Sequence, residues 1–363
     1  MAFNPDLGQL KCPYCGRAEA MPEVTATKLR ATLQEHNLAA FIETNRTQIA
    51  QLATTAQEVN CPGCQATISF EPPDVAGKCP FCATSIVTQQ SHPADPTLAP
   101  SGIVPFAVGR KVALNNLREW LAFRWDWQDL KAIFLPGKLK QLAQNKALMG
   151  VYLPFWTYDV QTNSRYRGER GEHYYKTETY TTTNADGKQE TKTRRVRHTR
   201  WYSASGRVAR FFDDVLVPAT RAISDKKLRK LWPTLAVSSL KPYSAEYLAG
   251  FKAQRYETPV KEGFGQAKAI MAETIRSDVR SDIGGDEQRV HSVSTDYSQE
   301  TFKHILLPVW MASYRYGGKT YQVLINAQTG TVMGERPVAV WKVALAVAIA
   351  TLIIIAIILI ANG

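Results

Sequence analysis

Cys61-Pro62-Gly63-Cys64 and Cys79-Pro80-Phe81-Cys82, joined by QATISFEPPDVAGK, are the stretch around which the chain is read. Fourteen residues separate the two pairs. That is close to the C-x2-C…C-x2-C spacing of a zinc site. A CxxC turn lets two thiolates reach one ion, and a second turn completes a tetrahedral sulfur shell. Thr67 to Phe70 reads as a short strand between the pairs, and the Pro- and Gly-bearing remainder as its return. The expectation is a zinc ribbon with Cys61, Cys64, Cys79 and Cys82 as ligands. Such a site leaves no open coordination position, so its role is structural.

The other two of the six cysteines form Cys12-Pro13-Tyr14-Cys15. This tetrapeptide matches a glutaredoxin active site letter for letter, but a redox CxxC follows a buried strand of a βαβ unit. Only eleven residues precede it and Gly16 follows. As a metal knuckle it lacks two ligands. His36, the nearest histidine, sits in LQEHNLAAF, which reads as a helix. A site shared between molecules and the remnant of a decayed second ribbon are the alternatives, with the remnant preferred. Disulfide frameworks belong to small secreted chains, so the cysteines point to metal.

Downstream, Ser91 to Gly102 carries three prolines in twelve residues and reads as a linker. Lys111 to Arg124 is expected to be an amphipathic helix, with Leu114, Leu117 and Leu121 on one face and Trp120 beside them. A longer helix carries Phe264, Ala267, Met271, Ile275 and Val279 and stops before Gly284-Gly285. Tyr174 to Thr183, a turn at Asn184 to Gly187, and Lys188 to Ser203 read as a long hairpin; Tyr314 to Asn326 reads as a tighter one turning at Gly317-Gly318. Leu153-Pro154-Phe155-Trp156 and Leu307-Pro308-Val309-Trp310 echo one another, which leaves two related halves and chance both open.

The first hairpin concentrates charge: Lys188, Lys192, Arg194, Arg195, Arg197 and Arg200, with Tyr174, Tyr175, Tyr180, Trp201 and Tyr202 interleaved. Lys plus Arg number 44 against 32 acidic residues, a net charge of +12. Basic and aromatic residues together suit anionic lipid headgroups, a partner protein, or single-stranded nucleic acid. The bland reading is a solvated strand pair.

Catalytic signals are thin. Ser313 to Thr320 ends like a P-loop but lacks its first glycine, and a strand follows. Asp282-Ile-Gly-Gly-Asp-Glu287 reads as a helix exit with a tight turn. His173, His198, His291 and His304 belong to no zinc-protease motif or nucleophile elbow. The expectation is a protein that is not an enzyme.

Val343 to Ala361, VALAVAIATLIIIAIILIA, has nineteen residues without a charge. As a helix it would be roughly 28 Å long, near the thickness of a bilayer's hydrocarbon core. Arg336 and Lys342 precede it, and positive flanks stay cytoplasmic. The N-terminal residues show no apolar signal region. The expectation is a single-pass tail anchor with the body in the cytoplasm.

The fold class expected is α+β: an N-terminal zinc ribbon, an antiparallel-sheet α+β body whose division into two related halves stays open, and a single C-terminal transmembrane helix. The boundaries are 1–60 for the knuckle and helical segment, 61–90 for the ribbon, 91–102 for the linker, 103–337 for the body and 338–363 for the anchor.

Several stretches together resemble bacterial zinc-ribbon membrane proteins of about this length. They are the ribbon ending in Cys79-Pro-Phe-Cys82, Tyr152-Leu-Pro-Phe-Trp156, Thr199-Arg-Trp201, Phe212-Asp-Asp-Val215, Tyr247-Leu-Ala-Gly-Phe251, Asp282-Ile-Gly-Gly-Asp286, Thr301-Phe-Lys-His304, Leu307-Pro-Val-Trp310, Thr329-Gly330 and Gly334-Glu-Arg-Pro337. Such proteins are often named after the primosomal helicase or a TFIIB-type zinc ribbon, although the likeness ends at the cysteine knuckles and no helicase motor is found here. The resemblance implies a tail-anchored zinc adaptor at the inner membrane, associated with phage-shock-protein-A-like or flotillin-like (SPFH) membrane-stress systems. Relatives carry two ribbons, whereas this chain has the single knuckle Cys12/Cys15 before its ribbon. A membrane-tethered zinc-ribbon nucleic-acid-binding protein is the alternative.

Overall fold

The computed structural model describes residues 1–22, 33–44, 57–70, 76–82, 84–87, 92–93, 98–121, 148–183, 188–316, 319–335 and 340–361. The turns expected at Asn184 to Gly187 and at Gly317-Gly318, residues 91 and 94–97 of the linker and residues 122–124 of the first amphipathic helix lie outside them.

In chain order the elements are β1 (Ala2–Asn4), β2 (Gln9–Lys11), β3 (Ala18–Glu19), β4 (His36–Asn37), α1 (Leu38–Thr44), β5 (Gln57–Asn60), β6 (Thr67–Phe70), β7 (Ala76–Lys78), β8 (Ser85–Val87), β9 (His92–Pro93), β10 (Gly102–Ile103), α2 (Arg110–Leu121), β11 (Met149–Thr183), β12 (Gln189–Pro218), α3 (Asp225–Leu231), β13 (Lys241–Pro242), β14 (Lys252–Ala253), α4 (Val260–Ile283), β15 (Glu287–Tyr316), β16 (Lys319–Asn326), β17 (Val332–Gly334) and α5 (Val340–Ala361). Sheet dominates and helices are few, so the balanced α+β body expected from the sequence gives way to one large, mainly antiparallel sheet. His36 starts β4 rather than sitting inside a helix; the helix begins after it, with Asn37 Oδ1 accepting the Ala40 N–H at 2.9 Å.

Three very long strands form the spine. β11 pairs antiparallel with β12 from Phe155↔Pro218 to Thr183↔Gln189, and with β15 from Met149↔Met311 to Gly171↔Glu287. The two echoing tetrapeptides lie opposite each other in this spine, with Leu153 facing Leu307. Their surroundings repeat at the same offsets. β14 runs parallel beside Val151 and Tyr152, and β10 runs parallel beside Ile305 and Leu306. The Gln254 N–H donates to Tyr152 O at 2.9 Å, and the Val104 N–H to Leu306 O at 2.9 Å. The Ala219 N–H donates to Pro154 O at 3.0 Å, and the Ala327 N–H to Pro308 O at 3.2 Å. Trp156 Nε1–H reaches Thr258 O at 2.9 Å, and Trp310 Nε1–H reaches Val108 O at 2.7 Å.

Each half is therefore a short strand, a helix and a long-strand hairpin, and each short strand is lent to the other half's hairpin. The prolines fit this plan. Pro154 and Pro308 fall where the edge partner changes from a parallel short strand to the antiparallel return strand, so no backbone donor is needed there.

Both helices cover the same sheet face. α4 buries Phe264, Ala267, Met271, Ile275 and Val279 against Trp156, Tyr158 and Val160. Gly263 permits the close approach: a Cβ there would run into Trp156 Cδ1 at 2.8 Å. α2 buries Ala113, Leu117 and Leu121 beside Phe106, Tyr152 and Trp310, under the N-terminal meander β1–β3.

α5 corrects the expected membrane anchor. Its described apolar side chains, including Leu352 to Ile355, are exposed. Yet no helix among the described residues is long and apolar enough to cross a membrane. The single-pass inner-membrane placement and the tail-anchored class fall with it.

Candidate metal centre

Two tight turns at the ends of strand pairs bring four sulfurs together. The first follows β5: the Cys61 N–H donates to Ala66 O at 3.0 Å, and the Gln65 N–H to Cys61 O at 2.8 Å, with Gln65 in the left-handed region at φ 61. The second repeats the leading bond, Cys79 N–H to Thr84 O at 2.8 Å. The Gly63 N–H points at Cys61 Sγ, 3.4 Å away. Cys61 and Cys82 Sγ lie 3.4 Å apart, and Cys64 and Cys79 Sγ 3.6 Å apart. Sulfurs at 2.3 Å from a tetrahedral zinc would be separated by about 3.8 Å, so a small contraction or expansion of the cluster suffices.

All four ligand atoms lie within 4.8 Å of one another, so the cluster could bind a metal ion. Four thiolates side by side repel, and the thiols show it. Hydrogen bonding from Cys79 pulls Cys64 down to about 5, while the same contact and burial push Cys79 up. A divalent cation relieves that conflict by accepting all four as thiolates.

The ribbon is docked on the sheet. Phe81, between the last two ligands, is buried with Leu153, Phe155, Leu307 and Val309, on the face opposite α2 and α4. Ser313 Oγ lies 2.8 Å from both Pro80 O and Phe81 O, and Gln322 Nε2 donates to Phe81 O at 2.9 Å. The centre thus pins the ribbon over the line where the two halves meet.

Cys12 and Cys15 stand apart from it. Cys15 is exposed, and among the described residues no third metal-ligating side chain gathers with the pair.

The basic residues of the hairpin do not form one face. Side chains alternate along a strand, so Lys192, Arg194 and Arg200 point one way and Arg195 and Arg197 the other. The even-numbered face is a ladder of compensated charge: Arg194 Nη2–Glu178 Oε2 at 3.1 Å, Lys192 Nζ–Glu190 Oε2 at 3.5 Å, and the Arg200 guanidinium 5.1 Å from the Tyr174 ring centroid. On the other face Arg195 lies 5.1 Å from the Tyr175 ring centroid, amid threonines. Lys188 precedes β12 and is exposed. Beyond Gly171 the third strand ends, and the hairpin continues as a two-stranded arm.

One cluster escaped the sequence reading. A bulge at Asp159 in the ladder with β12, next to one at Val160 in the ladder with β15, turns the Asp159 carboxylate inward, where Oδ1 accepts the Asp214 N–H at 2.6 Å. Lys303 Nζ lies 3.1 Å from Glu35 Oε1, 3.1 Å from Asp214 Oδ1 and 3.9 Å from Asp159 Oδ2. Burial, reinforced by a hydrogen bond with Glu35, raises Asp159 to about 7. Burial also raises Glu35, but hydrogen bonds from Asp159, Thr301 and Lys303 outweigh it and hold Glu35 at about 2. Between those two values the pair holds one proton, and it loses it as pH rises through the neutral range. Nearby, burial depresses the fully enclosed His304 to about 4; its Nδ1–H donates to Leu98 O at 3.0 Å, which makes it a neutral core residue.

No protein-family model matches the chain, and no solved structure matches it. It is similar to the uncharacterized protein YdjG of Bacillus subtilis (strain 168), with 26% identity over 254 residues. The match covers 68% of this chain and 66% of that protein, just under two thirds of the relative's length. An uncharacterized relative adds no activity, so function has to be argued from the side chains.

Proposed function

We propose that the protein is a non-enzymatic adaptor: a zinc-held core that presents a stiff hairpin arm to a partner protein. The four-thiolate shell with no open position favours Zn2+ in a structural role. The observation that carries the adaptor reading is the arm itself. Glu172 to Thr183 and Gln189 to Arg200 run past the last residue of the third strand, with both outer edges of the strand pair unpaired by other described strands. Tyr175 and Tyr180 are exposed along it, held beside arginines. Tyrosine and arginine are the side chains that dominate protein–protein hot spots, and free strand edges accept added strands.

The partner classes are phage-shock-protein-A-like and flotillin-like proteins, in keeping with the family resemblance. Purified proteins of these two classes would be titrated against the full chain and against Arg194→Ala/Arg195→Ala/Arg197→Ala. At least a tenfold loss of affinity in the variant, with unchanged zinc content, supports the adaptor. Equal affinity of the two chains sinks it. The basic arm gives the nucleic-acid reading its own observable: tight single-strand binding at physiological salt, abolished by the triple variant, would put that reading first.

A further inference from the structure

We propose that Cys12 and Cys15 form half of a second tetrathiolate centre, completed by the same two residues of a second copy of this chain around one zinc-type ion. The pair keeps the full architecture of a ligand knuckle. The Cys12 N–H donates to Arg17 O at 2.8 Å and the Gly16 N–H to Cys12 O at 3.0 Å. These are the same residue offsets as Cys61 to Ala66 and Gln65 to Cys61 in the buried centre. Gly16, at φ 74, takes the left-handed conformation that Gln65 takes there. A decayed turn has no reason to retain this pattern of backbone hydrogen bonds.

Among the described residues no further ligand gathers at the pair. Its six cysteines are Cys12, Cys15 and the four of the ribbon. His304 is enclosed in the core, His173, His198 and His291 lie beside glutamates on the spine, and His36 packs on Phe302. His92 is in β9, paired to the ribbon's own strand β5. Two thiolates from another molecule finish a tetrahedron, and a second copy offers the same pair in an isologous contact.

The surroundings suit that partner. Met1, Leu7 and Tyr14 are exposed on the same meander, Tyr14 at 96% and set between the two ligands. Lys11 and Arg17 flank the knuckle, so an ion with four thiolates, carrying two net negative charges, meets positive neighbours from both copies. The contact would bring two copies of a +12 chain together at a point where the added charge is negative.

The full chain, reduced and then supplied with zinc, would be measured for mass by sedimentation and for bound metal by elemental analysis. The expected result is a dimer holding about three ions per two chains. Cys15→Ser, at an exposed position, should give a monomer and lose about half an ion per chain relative to the unmutated protein. Cobalt in place of zinc should lose tetrathiolate absorption in the same proportion. Because the readout is the difference between the two chains, it stands apart from the occupancy of the ribbon site. A monomer with or without extra metal, a dimer indifferent to Cys15→Ser, or a dimer abolished by reductant in the presence of zinc would overturn the proposal.

Discussion

After Leu307-Pro308-Val309-Trp310 the chain runs to Tyr316 and turns back; after Leu153-Pro154-Phe155-Trp156 it runs on to Thr183 before doing so. The two halves share the parallel short strand, the proline at the change of partner and the tryptophan anchored to the loop before a helix. They differ in how far the hairpin continues. The shorter hairpin shows that a few residue pairs past the tryptophan are enough to complete the core. The extra length of the longer one, beyond Gly171, buries little and gains no third strand. Its existence is not explained by folding stability, and that is the physical reason for assigning it an external role.

The comparison can be broken most severely at the ribbon, which covers both halves. Cys79→Ser should release the metal, detach Phe81 from Leu153 and Leu307, and abolish cooperative melting of the native sheet, read by near-ultraviolet circular dichroism. A normal melt with metal lost would show that the sheet stands without its cover.

Equivalence of the halves is tested next at the two indoles. Trp156→Phe and Trp310→Phe each leave a loop carbonyl, Thr258 O or Val108 O, without its donor. Each should cost about 2–3 kcal/mol in urea unfolding, counting the lost volume. Costs differing severalfold would mean that the repeated hydrogen bonds do not carry repeated weight.

Asp159 belongs to one half alone, and pH sharpens that asymmetry. Its folded value near 7 is above the ordinary carboxylate range, so the folded state holds a proton that the unfolded chain has released. Stability therefore falls as pH rises from about 4 to about 7. Glu35, held at about 2, works on the acid side: its contribution is lost as pH drops from the usual range toward 2. The pair should produce a stability maximum near pH 4–5, with a fall on the order of 4 kcal/mol up to pH 8. Asp159→Asn keeps an acceptor for the Asp214 N–H and should flatten the fall. An unchanged pH profile in the variant would remove Asp159 from the account.

The smallest effect lies on the arm. Glu178→Gln breaks an exposed pair with Arg194 and should shift stability by less than about 0.5 kcal/mol. A larger loss would show that the arm is bound to the folding of the core after all.

Sequence carried some of this and not the rest. The apolar stripe from Phe264 to Val279 repeats at helical spacing, so α4 was legible, and the cysteine spacing brought the four ribbon ligands together. The spine was not legible at its true length. Val151 to Val160 is buried on both faces and shows no alternation, so it lacks the period-two signal of a half-buried strand. Tyr174 to Thr183 and Lys188 to Ser203, rich in Thr, Tyr and Arg, did read as a hairpin, and they pair as one. The echo of Leu-Pro-x-Trp is too short to separate duplication from chance, and only the hydrogen bonds at matching offsets do so. Glu35, Asp159, Asp214 and Lys303 are scattered over the chain. Their one local signal is a charged residue inside an apolar run, Asp159 after Phe-Trp-Thr-Tyr and Lys303 before His-Ile-Leu-Leu. The anchor reading is corrected because, among the described residues, no helix is long and apolar enough to cross a membrane.

The end of the third strand at Gly171 also sets the reach of the arm. From there to Thr183 the strand climbs roughly 40 Å at about 3.3 Å per residue. A rotation of only about 5° at that point would sweep the tip through roughly 3.5 Å over that length. A slight flexing where the sheet narrows from three strands to two is thereby geared up to a displacement comparable to the width of a side-chain contact at the far end.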